Sequence, residues 1–89
     1  MRLSSVDCRE IRTALAGKAT GFRYADVAIW LSKADFAPPR KPDGTHRTWR
    51  HTGGKRVPLV DTGHGELLPV YVKKAARAVL AVGGCQDDT

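Results

Sequence analysis

The chain has 89 residues, with 15 lysines and arginines against nine acidic residues, for a net charge of +6. That length makes one small domain with a thin core and leaves no room for a separate substrate domain. The positive balance points away from cationic ligands and toward a polyanion.

The elements follow in chain order. Residues 4–16 read as a first helix: Ser4 with Asp7 three residues on forms a capping box, and Cys8, Ile11 and Leu15 repeat on one face. Gly17 is its natural stop. This helix is short and weakly apolar, so residues 1–20 are predicted to be an N-terminal extension of a main domain over 21–85. Residues 24–34 are a stronger helix, with Val27, Trp30, Leu31 and Ala34 at helical spacing.

Residues 36–41 are predicted to be extended. Pro38 and Pro39 remove two amide donors, so this strand is an edge or a broken one. Residues 45–52 form the best strand. Trp49 shares one face with Thr45, Arg47 and His51, while His46, Thr48 and Arg50 share the other. Gly53-Gly54 is a hairpin turn, and residues 55–61 pair back despite Pro58. Residues 62–65 are a loop. Pro69 opens a final helix whose buried stripe is Val72, Ala75, Ala76 and Val79, and Gly83-Gly84 ends it. Residues 86–89 are a frayed tail.

The resulting order is helix, helix, three antiparallel strands, helix: an α+β fold with two helices on one face of the sheet and an extra N-terminal helix. It is similar to a double-stranded-RNA-binding domain. The aromatics are few, so Trp30, Trp49, Tyr71, Tyr24, Phe22 and Phe36 are expected to supply much of the burial.

Charge is unevenly spread. Residues 40–56 carry Arg40, Lys41, Arg47, Arg50, Lys55 and Arg56 against Asp43, a balance of +5. Residues 1–39 balance to +2 and residues 57–89 to −1. The excess therefore surrounds Gly44-Thr45-His46, where a glycine turn presents a histidine at the start of a strand. Arginine and lysine hold phosphates, and histidine exchanges a proton near neutral pH. RNA carries its own nucleophile in the 2′-hydroxyl. His46 can act on it as general base or acid, and Lys41, Arg47 or Arg50 can offset developing charge. The second proton-transfer group is left open between His64, His51 and water.

These residues carry a family resemblance. From Tyr24 to about Gly84 the chain resembles the HicA toxins, or YcfA-like mRNA interferases. Their pattern is a helix ending in Gly-Phe, a short strand, Gly-Ser-His, an aromatic-bearing strand, a turn, a third strand with a downstream histidine, and a last helix. Asp35-Phe36 stands where Gly-Phe usually does. Gly44-Thr45-His46 matches Gly-Ser-His, Trp49 the inward aromatic and His64 the downstream histidine. Arg47 departs from the second histidine of many members.

The resemblance implies a double-stranded-RNA-binding-like fold and mRNA cleavage without a metal or other cofactor, with His46 catalytic. It also implies neutralisation by a HicB-like antitoxin protein. Gly44, Thr45, Arg47, Arg50, Lys41, Lys55 and Arg56 are the expected RNA contacts, and His64 an auxiliary group. The alternatives are a non-catalytic RNA-binding module and a decayed toxin that only binds its partner.

The remaining expectations concern compartment. Cys8 and Cys85 lie near opposite ends, neither with a close cysteine neighbour, so reduced thiols in a cytoplasmic protein are predicted rather than a disulfide or zinc site. No signal-peptide pattern and no membrane-spanning run is visible.

Overall fold

The computed structural model describes residues 3–40, 44–63 and 65–85. Three helices and three strands follow in the order α1 (Ser5–Leu15), α2 (Tyr24–Lys33), β1 (Phe36–Ala37), β2 (His46–His51), β3 (Arg56–Val60) and α3 (Pro69–Ala81). The sheet is antiparallel with β2 in the centre. The α2–β1–β2–β3–α3 portion has the layout of a double-stranded-RNA-binding-like fold.

Local chemistry sets the element ends. The Ser4 hydroxyl accepts from the Asp7 N–H at 3.1 Å, and the Asp7 carboxylate accepts from the Ser4 N–H at 3.0 Å. Two orphan donors of α1 are thereby satisfied. At α2 the Asp26 carboxylate accepts from the Arg23 N–H at 2.8 Å. The helix ends at Asp35, whose φ of 69° makes it the one non-glycine with positive φ among the described residues. Aspartate tolerates this left-handed position better than most side chains. α3 starts on Pro69, where a missing N–H costs nothing.

β1 is shorter than the expected strand over 36–41. It stops where Pro38 withdraws the first amide, and residue 41 lies outside the described residues, as does the expected tail over 86–89. Pro58, by contrast, is accommodated within β3. The Asp61 N–H donates to the Thr45 carbonyl at 2.8 Å and the His51 N–H to the Lys55 carbonyl at 2.8 Å. Odd-numbered β2 residues therefore form the hydrogen-bonded pairs with β3. Pro58 faces Thr48 in a non-hydrogen-bonded pair, so its nitrogen points to the free edge.

One face of the sheet is covered. Phe36, Trp49, Val57 and Leu59 are buried against Val27, Trp30 and Leu31 of α2 and Val72, Ala76 and Val79 of α3. Phe22 packs edge-on against Trp30 at 5.2 Å. Tyr24, Phe22 and Tyr71 are only half-buried, each packed at the margin of the core.

α1 is integrated into this core. It lies mainly on α3, with Ile11 and Ala14 fully buried in the same cluster. Lys33 of α2 donates to the Asp7 carboxylate at 2.9 Å, tying α1 to α2 as well. Burial works against charge on Asp7, but the Ser4 N–H, the Lys33 ammonium and the Ser4 hydroxyl outweigh it and hold the carboxyl below its ordinary value.

The expectation of reduced cysteines is overturned. Cys8 and Cys85 are joined in a disulfide, with Cα atoms 5.7 Å apart. A separation of 77 residues hid the pairing, because only the folding of α1 along α3 brings Cys8 to the residue beyond the last helix.

Candidate functional site

The helix-free face of the sheet carries the outward side chains of three rows. Arg50 and Arg56 are cross-strand partners, with Ala37 on the other side of Arg50. Thr48 faces Pro58, and His46 faces Val60. This face is open because the inward alternation of β2 and β3 is taken up by Trp49, Val57 and Leu59.

His46 is the first residue of β2 and is exposed. Among the described residues its imidazole has no hydrogen-bond partner, so both ring nitrogens face solvent or a ligand. Gly44 has a φ of 59°, and a Cβ there would meet open space. Its requirement is conformational: it turns the chain into β2 in a region that side-chain-bearing residues enter at a cost of roughly 1–2 kcal/mol. Thr45 is exposed, and its carbonyl is held by the Asp61 N–H.

Arg47 is placed differently from the expected RNA contacts. It lies on the helix side of β2 and is half-buried. Its guanidinium donates to the Gly44 carbonyl at 2.7 Å and to the His46 carbonyl at 3.0 Å. Arg47 thus braces the turn that presents His46. Arg50, Lys55 and Arg56 are exposed at the hairpin end of the sheet, and none has a carboxylate partner among the described residues. Lys41 and His64 lie outside the described residues.

His51 is structural. Its Nδ1 accepts from the Gly53 N–H at 3.1 Å, and its ring sits 5.0 Å from that of Phe36. It faces the helices, away from His46.

Two residues near the site were not among the expected site residues. Tyr24, at the start of α2, accepts a hydrogen bond from Trp49 Nε1 at 2.9 Å. Burial raises the Tyr24 hydroxyl above its ordinary value; the Trp49 hydrogen bond and the Arg47 charge act against this, and Asp61 adds to it. Asp61 follows β3, and its carboxylate accepts from the Gly63 N–H at 3.0 Å. A cleft bounded by Val60, Asp61, Leu67 and Leu68 opens beside the His46 end of the ladder. Spacing alone did not signal that Tyr24, Arg47 and Asp61 converge, since they come from three separate elements.

Among the described residues no group of three His, Cys, Asp or Glu side chains is arranged to hold a metal. Nor is any helix long and apolar enough to cross a membrane. No protein-family model, characterised protein or solved structure matches the chain.

Proposed function

We propose that the protein is an RNA-cleaving toxin of the HicA kind, working through His46. The observation that carries this reading is an exposed histidine, set by a left-handed glycine turn, on a helix-free face that among the described residues holds two arginines, no acid and no partner for the imidazole. The placement of Asp35 in the left-handed position supports it too, because the HicA pattern has glycine there.

The chemistry follows from RNA itself. His46 takes the proton of a 2′-hydroxyl, whose oxygen attacks the adjacent phosphorus. The bond to the 5′-oxygen breaks, leaving a cyclic phosphate, and the leaving oxygen is protonated by the imidazolium or by water. Such a proton transfer contributes roughly 10²–10⁴-fold. Arg47 fixes the turn and adds positive charge behind it.

Action on mRNA belongs in the cytoplasm, where thiols are mostly reduced. The assay therefore uses protein with the disulfide intact and protein with it reduced. Wild type and His46→Ala are induced side by side, and growth and mRNA integrity are followed. The purified proteins are then given unstructured RNA. Arrest and cleavage by wild type alone are expected. An alanine variant that still cuts overturns the assignment of His46.

A HicB-like antitoxin is part of this reading through the resemblance alone. Its test is whether co-expression of a short acidic neighbour relieves the arrest. One observation favours the second reading, a non-catalytic RNA-binding module: among the described residues no second histidine and no carboxylate shares the open face with His46 to complete the proton transfers. RNA bound with equal affinity by both proteins and cut by neither establishes that module.

A further inference from the structure

We propose that the open face holds single-stranded RNA along β2, with Arg50 and Arg56 gripping a phosphate other than the one His46 acts on. This rests on the RNA reading above and adds a remote anchor to it.

The ladder pattern carries the argument. Even-numbered β2 residues form the non-hydrogen-bonded pairs with β3, and Arg50 faces Arg56 in one of them. Side chains stand closest in such pairs, and like charges there repel. Arg56 lies on a sheet edge, and neither guanidinium has a carboxylate among the described residues. A bridging anion relieves that repulsion, and two forked guanidiniums suit a phosphate.

Spacing separates this anchor from the chemistry. Arg50 is four residues along β2 from His46, about 13 Å at the strand rise of roughly 3.3 Å per residue. That span corresponds to about four nucleotides of a stacked strand at roughly 3.4 Å each, and fewer if the strand is extended. The floor between the ends consists of Thr48 and Pro58, short side chains over which a polymer can lie. Apart from His46 none of the outward residues of these rows is aromatic, so affinity at the anchor comes from phosphates rather than from stacked bases, and sequence preference there is weak. The face is also short: six residues of β2 cover about 20 Å, which fits a few nucleotides of one strand better than the roughly 16 base pairs spanned by duplex-binding domains.

The test compares wild type with Arg50→Gln, Arg56→Gln and the double variant on two substrates. One is a dinucleotide holding only the scissile phosphate. The other is an unstructured RNA of about ten nucleotides. Cleavage of the longer RNA is expected to fall at least about tenfold in the double variant, and that of the dinucleotide by clearly less. In a His46→Ala background, which binds without cutting, the salt dependence of binding is expected to flatten by about 0.7 in the double variant, for the one phosphate released.

Equal losses on both substrates, an unchanged salt slope or tighter binding of duplex RNA overturns the anchor. So does a double variant that binds RNA normally and fails only toward an acidic protein partner. Thermal unfolding of each variant checks that the fold is intact. If wild type cuts neither substrate, the cleavage reading fails, while the salt slope still decides the anchor.

Discussion

Removing one oxygen atom tests how the site is joined to the core. Trp49 is only 4% exposed, and its indole N–H donates to the Tyr24 hydroxyl at 2.9 Å. In Tyr24→Phe that donor keeps its buried position and loses its acceptor. A buried unsatisfied group costs about 1–3 kcal/mol. Tyr24 is itself half-buried, so partial access of water places the expected loss at the lower end, about 1–2 kcal/mol. For a domain of this size each kcal/mol lowers Tm by roughly 4–8 °C.

The assay is urea and thermal unfolding followed by tryptophan fluorescence, with the disulfide intact. Tyr24→Phe, Trp49→Phe and the pair together complete a double-mutant cycle. The second substitution is expected to cost less in the presence of the first. The pH dependence has a defined sign: the folded Tyr24 hydroxyl titrates above its ordinary value of 10.0. Its neutral form is favoured in the fold, so the associated stability is complete below that value and is lost as pH rises through the folded one. The alkaline loss is expected to shrink in Tyr24→Phe. Additive substitutions, or a Tyr24→Phe protein as stable as wild type, refute the reasoning.

Two further outcomes concern α1. Asp7 titrates below the ordinary value of 3.8, so its stabilisation is complete above that value and fades as pH falls through the folded one. Asp7→Asn is expected to be less stable at about pH 6 and to lose part of the acid dependence, as denaturant titrations across pH will show. Replacing Cys8 and Cys85 by serine opens a loop with a separation of 77 residues and is expected to cost up to roughly 4–5 kcal/mol in the chain-entropy account. Equilibrium unfolding with and without reductant checks this, and wild type alone is expected to respond to the reductant.

The pattern of legibility has physical causes. Helical spacing in Val27, Trp30 and Leu31 and the Ser4–Asp7 pair defined α2 and the start of α1, because these signals are local. Alternation in β2 assigned His46 and Arg50 outward and Trp49 inward, because a strand leaves no third choice. The two prolines pointed to a broken edge, and β1 ends at them. What was not legible is contact between distant segments. The Cys8–Cys85 bond and the convergence of Tyr24, Arg47 and Asp61 depend on how elements dock, on which single-sequence periodicity is silent. Arg47 was expected among the RNA contacts because its charge is visible in the sequence, whereas its two carbonyl partners are backbone atoms and are not.

The sulfur bridge closes residues 8 to 85 into a ring. A single proteolytic nick in any connection between elements leaves both fragments attached until the bridge is reduced. The same closure supplies a ready junction for re-opening the ring elsewhere, so new termini can be created in a surface turn without separating α1 from the helix on which it rests.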